Sequence, residues 1–319
     1  MAQHFLLSAK ARTLSLKAIF RMTDDEAHDH FTAIRFADNG GAAFCPRCEC
    51  TAVYTYAARR IWKCKACSHQ FSVTSGTIFA SRKMAIRDYL AAAAIFVNAV
   101  KGISALQLGR DLDVQYKTAF VLAHKLREAI GSGQVGARLS GTVEVDGAYF
   151  GGHAKQENNK ADRKDRRLAA AQTGKRQSVI VARERDGATL TAVVGKESMG
   201  VAFIQAVVAP GSVVHADEAA GWDALHARYE MRRINHSVAF SKDGACTNMA
   251  ESFFSRLRRA EVGQHHHISG KYLGFYAAEM AWREDARRVS NGGQHEAATG
   301  AALGHPVSRV WKGYWQKAS

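Results

Sequence analysis

No apolar run in this chain approaches the roughly 18 residues that span a bilayer. The longest, residues 89–97, is short and rich in alanine. No membrane crossing is expected, and no long basic amphipathic stretch offers a lipid-facing side. No G-x-x-x-x-G-K-[ST] loop is present, so no nucleotide cofactor is expected. No G-x-S-x-G elbow occurs either. Acids are scarce: 29 Asp and Glu stand against 44 Lys and Arg, a formal charge of +15. A surplus of that size points to a polyanionic partner, with nucleic acid the default. No secretory signal is recognised, so the six cysteines are expected to be reduced in a cytosol.

What is present suffices for a folded core. Hydrophobic residues are 47% of 319, enough for one large domain and one or two small ones. Thr23 and Glu26 form a capping-box pattern, with Ala27, Phe31 and Ile34 at helical spacing behind them. Two C-x-x-C knuckles follow, Cys45 with Cys48 and Cys64 with Cys67. Each knuckle places two sulfurs on one side of a tight loop, and two loops complete a tetrahedron. A structural Zn2+ with all four positions closed is expected. A thioredoxin-like redox site needs one pair, not two facing pairs. Cys50 stays outside the set, because C-x-C geometry is less usual. Arg59 and Arg60, with Arg47, Lys63 and Lys65, suit phosphate contact or a solvated basic face.

Residues 85–100 read as a helix, 103–110 as a short helix, 111–114 as a turn and 115–130 as a longer helix. That is helix-turn-helix spacing. Gln115 and Lys117 lead the second helix with groups able to touch bases or phosphates. Plain helix packing competes with that assignment. Gly131, Ser132 and Gly133 read as a linker.

The stretch GTVEVDGAYFGG, residues 141–152, reads as a strand on which Val143 and Val145 alternate with Glu144 and Asp146. Gly147 and the Gly151-Gly152 pair are expected to break it, leaving Asp146 at a strand end beside glycines, where a cation can be held. Taken alone, the stretch fits a turn-capping aspartate better. Glu144 suits either an outer supporting role or a sheet edge. Residues 153–177 are highly charged and read as a solvated loop, with DNA contact compatible. SVIVARE (178–184) and ATLTAVVG (188–195) read as strands joined at Asp186-Gly187. Residues 199–208 read as a helix, and SVVHA (212–216) as a strand ending in Asp217. Residues 222–229 look helical and 234–240 extended; His215 suits a packed position.

In CTNMAESFFSRLRRA, Asn248, Glu251, Ser255 and Arg258 share one helical face, beside an apolar stripe of Met249, Phe253 and Leu257. Asp146, Asp217 and Glu251 thus supply carboxylates from strand, strand and helix. Hard divalent cations, Mg2+ or Mn2+, prefer such oxygen ligands. Two of them about 4 Å apart activate water and stabilise the leaving oxygen of a phosphodiester. His265, His266 and His267 are consecutive, a poor arrangement for one ion and a better one for phosphate. Residues 272–288 read as a last long helix whose Arg283, Arg287 and Arg288 suit DNA contact or domain cover. The tail from 292, with Trp311 and Trp315, has no readable function.

Taken together, CPRC with CKAC, SGTIF, the helical pair 103–130, VEVDGAYFGG, VHADE, INHSVAF, TNMAESFFSRLRR and HHHISGKYL resemble a bacterial insertion-sequence transposase. The type is that of a zinc ribbon joined to an ISXO-like DDE domain, and the resemblance covers nearly the whole chain. It implies an α/β fold: an RNase H-like mixed sheet flanked by helices, preceded by the zinc ribbon and the helix-turn-helix region. The expected divisions are a basic helical segment at 1–43, the ribbon at 44–76, the helical DNA-binding region at 77–133, the catalytic domain at 134–291 and a tail at 292–319. The resemblance makes Asp146 and Asp217 the first two metal ligands and allows either Asn248 or Glu251 as the third; Glu251, with Asn248 assisting, is the expectation adopted. Arg258 would hold a DNA phosphate. The implied activity is cleavage at terminal inverted repeats and strand transfer into target DNA, by a homo-oligomer in the bacterial cytoplasm at the nucleoid. The competing class is a catalytically inactive DNA-binding protein that kept the ribbon and helix-turn-helix.

Overall fold

The computed structural model describes residues 4–152, 157–163, 165, 173–234 and 246–317. The chain divides into two units, residues 1–132 with 288–319, and residues 133–287. In the first unit, α1 (Leu16–Arg21) leads into α2 (Asp24–Arg35). The α2 capping box forms as expected: the Thr23 amide donates to Glu26 at 2.7 Å and the Glu26 amide to Thr23 Oγ1 at 3.2 Å. The ribbon follows as β1 (Val53–Tyr56), β2 (Ile61–Cys64) and β3 (Gln70–Ser72), all antiparallel. Three short strands bury little apolar surface by themselves. Trp62 answers this by stacking on Phe71 at 5.7 Å and meeting Phe36, just past α2, edge-on at 5.9 Å. Next come α3 (Ile86–Asn98), α4 (Ala105–Asp111) and α5 (Tyr116–Ser132). Leu90 to Val97 of α3 are all buried, as befits a helix apolar on every side.

The second unit is built on a five-stranded mixed sheet, order β6-β5-β4-β7-β8. Its strands are β4 (Thr142–Phe150), β5 (Gln177–Glu184), β6 (Thr189–Val194), β7 (Val213–Asp217) and β8 (Glu230–Ile234). Helix α6 (Gly200–Val207) and a 3-10 stretch, Ala220–Ala227, cover one face, against Val143, Val145, Ile180 and Val214. Helices α7 (Asn248–Ala260) and α8 (Gly270–Asp285) cover the other, against Ala148, Phe150, Val179 and Val181. The α7 stripe that packs on the sheet is Ala250, Phe253, Phe254, Leu257 and Ala260, while Met249 is only half-buried. Gly147 does not end the first strand. β4 continues to Phe150, paired throughout with β5. The segment 222–229 is a 3-10 stretch rather than an α-helix, with Trp222 and Leu225 buried. Of the extended piece expected at 234–240, only Ile234 lies among the described residues, as the end of β8.

Beyond Arg288 the chain rejoins the first unit through α9 (Asn291–Gly304). Asn291 Oδ1 accepts the amides of Thr13 and Leu14, both at 2.9 Å. His295 Nε2 lies 3.0 Å from the Leu90 carbonyl of α3. Trp311 is buried, stacked on His124 of α5 at 4.3 Å. No helix among the described residues is long and apolar enough to cross a membrane.

Candidate functional site

Parallel pairing of β4 with β7 sets the centre of the second unit. Glu144 lies in register with His215. Side chains alternate along a strand, so Asp146 and Asp217, each two residues further on, fall on the same face as that pair. Pairing between β4 and β7 stops after Glu144 and His215, while β4 goes on with β5. Such a crevice at the carboxyl ends of parallel strands is where groups converge on a ligand in open sheets. Asp217 is held in place from two sides. The Ala219 amide donates to its carboxylate at 3.2 Å, and Arg233 of β8 donates to its carbonyl at 2.6 Å while pairing with Asp223 at 3.0 Å.

Glu144 fixes the helix that faces this crevice. It is fully buried in a central strand, not at a sheet edge. Its carboxylate accepts the α7 amides of Met249 at 2.8 Å and Ala250 at 3.3 Å. Arg185 supplies the counter-charge at 3.1 Å. The same guanidinium reaches Cys246 Sγ and His215 Nδ1, and the Cys246 amide donates to that histidine nitrogen at 3.2 Å. Burial, then the charge of Arg185, lowers the His215 pKa, which leaves the ring neutral at pH 7. A carboxylate against the amides at a helix start is the favourable end of the helix dipole. Here it comes from the sheet, so it also sets where α7 begins. Farther along, Arg183 of β5 donates to the Met249 carbonyl at 3.1 Å and pairs with Glu284 of α8 at 2.8 Å. Arg256 of α7 pairs with the same Glu284. The helix bearing Asn248 and Glu251 is thus bound to the sheet by charge as well as by its apolar stripe.

Asn248, the first residue of α7, is exposed, and Glu251 is half-buried one turn on. Burial raises the Asp146 carboxyl to about 7. The Gly147 amide, donating at 2.7 Å, opposes the shift, and the charges of Asp217, Glu197 and Glu251 add to it. Nothing in the residue pattern singles out Glu197. It opens the short turn Glu197–Met199 before α6, and its carboxyl is raised by burial and then by Asp217. The only available sign was an acid in the first turn of a helix that directly follows a strand. Among the described residues, no three of these acids bring ligand atoms within 4.8 Å of one another. Oxygen donors on separate elements, whose charges add to the raised Asp146 pKa, fit a hard divalent cation.

The four-cysteine site is drawn much closer. Cys45, Cys48, Cys64 and Cys67 gather their sulfurs within 4.8 Å of one another. Cys45 to Cys67 is 3.6 Å, Cys48 to Cys64 3.6 Å and Cys48 to Cys67 3.4 Å. Sulfurs on a tetrahedron about 2.3 Å from a metal stand at separations of this order. The Cys67 amide donates to Cys64 Sγ at 3.4 Å, which holds that thiol below its ordinary pKa. Cys50 Sγ bonds to the Ala52 carbonyl and stays outside the cluster.

Residues 138–285 match the ISXO2-like transposase domain, and residues 22–70 match the transposase zinc-ribbon domain. The chain thus carries an ISXO2-like transposase domain and a transposase zinc-ribbon domain. An uncharacterized protein in transposable element ISH50 of Halobacterium salinarum is 28% identical over 109 residues. That stretch is 33% of this chain and 36% of that protein, so the match spans about a third of the relative's length. No solved structure matches. The ribbon match and the cysteine cluster support a structural zinc, and the two domains support a transposase function.

The remaining candidates are placed unevenly. Arg59 is exposed beside β1, whereas the half-buried Arg60 pairs with Asp25 at the start of α2. Gln115 and Lys117 are both exposed, and the Gln115 carbonyl accepts the Thr118 and Ala119 amides of α5. The Lys117 ammonium stands 5.4 Å over the Trp315 ring, and its carbonyl accepts the Trp315 indole N–H at 3.2 Å. Arg258 is exposed on α7. Arg283 is held by Glu279 one helical turn back, which makes it part of the domain's cover. His265 packs edge-on against Tyr276 at 4.6 Å, and no histidine joins a metal cluster among the described residues.

Proposed function

We propose that the second unit cleaves phosphodiesters at transposon ends and joins the freed ends to target DNA. The observation that carries this is the β4–β7 register, which sets Asp146 beside Asp217 at one crevice within the transposase domain. Mg2+ or Mn2+ bound there would activate the attacking hydroxyl and stabilise the leaving oxygen. Asp146 and Asp217 hold the cations from the sheet. Glu251 completes the set from α7, with Asn248 adding a neutral oxygen. Arg258, seven residues beyond Glu251, grips a backbone phosphate. Water attacks in line at the transposon end, and the 3′ hydroxyl released attacks the target strand. Bonds are exchanged one for one, so no nucleotide cofactor is needed.

The ribbon, with Arg59 and Arg60, and the helical pair, with Gln115 and Lys117, read the terminal inverted repeats. Two ends must be held together, so the working form is a homo-oligomer on double-stranded DNA, at the nucleoid in the cytoplasm. Purified protein with Mg2+ or Mn2+, given DNA bearing the element's ends beside scrambled DNA, tests this. Asp146→Asn and Asp217→Asn are expected to keep end binding and lose cleavage by about 100- to 1000-fold, the scale on which removing a group that stabilises transition-state charge acts. Full cleavage by both variants would sink the assignment. Specific binding without cleavage by the unaltered protein would make it a DNA-binding relative of transposases, and cleavage indifferent to ends would make it a general nuclease.

A further inference from the structure

Gly147 follows Asp146 inside an unbroken strand, and the space beside it is filled from across the sheet. A Cβ built on Gly147 would stand 2.7 Å from both Cγ and Oε1 of Glu197. Contacts that short do not occur, so the strand is bare here because the Glu197 carboxylate lies against it. Alternation puts that missing Cβ on the face of Val143 and Val145, opposite Asp146. Glu197 therefore approaches from the α6 side, while Glu251 belongs to a helix on the other side. Both elements flank the place where β4 and β7 stop pairing.

We propose that Glu197 is a fourth carboxylate of the Asp146–Asp217 cation site, reaching it from the opposite face of the sheet. This rests on the assignment of that site under Proposed function. The turn carrying Glu197 is firmly seated. Its amide donates to the Tyr149 hydroxyl at 3.4 Å. Gly200, three residues on, lies so close to β5 that a Cβ there would stand 2.8 Å from Ile180 Cγ1. The Arg176 guanidinium stacks over the Tyr149 ring at 3.8 Å and favours the charged form of Glu197. Even so, among the described residues Glu197 makes no ion pair within 4.0 Å. The carboxylate is aimed at the strand beside Asp146 rather than folded back on a cation among the described residues. Three carboxylates leave a surplus of positive charge on two divalent ions, and a fourth balances it, so four oxygen donors on two faces suit a two-ion site.

The test is Mn2+ binding to the full-length protein, zinc-loaded and stripped of other divalent ions, followed by electron paramagnetic resonance of the free ion and by calorimetry. Glu197→Gln keeps the shape and removes the charge. It is expected to weaken Mn2+ binding about 10-fold or more, the scale seen when groups supporting a metal are removed, with zinc content and circular dichroism unchanged. Gly147→Ala leaves the carboxylate in the chain and pushes it off the strand, so its loss is expected between the unaltered protein and Glu197→Gln. If Asp146→Asn weakens binding while Glu197→Gln does not, Glu197 is no part of the site and the Asp146–Asp217 assignment stands. If the unaltered protein binds no Mn2+, or Asp146→Asn binds it as well as the unaltered protein does, the assignment itself falls and Glu197 falls with it.

Discussion

Two clusters of ionisable side chains among the described residues are built on opposite principles. The sulfurs of Cys45, Cys48, Cys64 and Cys67 already stand at metal-ligand spacing, all from one small ribbon. The carboxylates of Asp146, Asp217, Glu197 and Glu251 come from two strands, a turn and a helix, and no three bring their oxygens that close. A cluster that only has to hold a fold gains from being closed and complete. A cluster that must admit a phosphate and let it go keeps its donors apart, and its framework bears the cost of holding like charges near one another. That framework is visible in Glu144 and His215, each two residues back from an acid, and in Arg185 and Cys246, which bond to both.

Zinc removal should give the largest effect. Metal binding to small ribbons supplies on the order of 10 kcal/mol of folding energy. Cys45→Ala is therefore expected to lose zinc in a colorimetric assay and to lose the ribbon's protected amides in hydrogen exchange, while the amides of β4 and β5 stay protected. Equal protection in the ribbon with and without metal would break the contrast between the clusters.

Glu144→Ala comes next. It removes a buried charge, leaves Arg185 without its pair and uncaps α7, changes that together cost about 3–5 kcal/mol. Urea unfolding of the second unit's signal is the measurement, and a loss below about 1 kcal/mol would show that the apolar stripe alone places α7.

The smallest effect distinguishes the acidic site most directly. A carboxyl whose folded pKa is raised binds its proton more tightly in the folded state than in the unfolded. Metal-free protein therefore loses stability as pH climbs from the ordinary value of 3.8 to about 7, and the loss is complete above that. Asp146→Asn removes this slope. It is expected to match the unaltered protein near pH 4 and to be more stable at pH 8, by at most about 4 kcal/mol. Parallel stability profiles would mean that Asp146 carries no such strain.

Legibility followed the range of the interactions. The C-x-x-C knuckles and the Thr23–Glu26 box close within a few residues, so they could be read directly. The Asp146 and Asp217 strands are readable from their apolar pattern, whereas their parallel pairing joins segments distant in sequence. Glu144 could not be placed, because what defines it is the Met249 amide, which lies on another element. Gly147 was taken for a strand break because a bare position has two causes, a turn or a close neighbour, and the neighbour, Glu197, is distant in sequence. Helix α9 was missed because NGGQHEAATGAALG is rich in glycine, which disfavours helix. Packing against α3 and α5, with His295 on Leu90, outweighs that cost.

Helix α9 also sets the order in which the molecule can be finished. The first unit is made of residues from both sides of the second. A ribosome releases the ribbon and α3–α5 early, yet Leu90, Thr13 and Lys117 wait for His295, Asn291 and Trp315. Chains fold as their segments emerge, so the first unit is begun first and closed last. A chain that stops short of residue 288 carries an intact set of acids and an unfinished first unit.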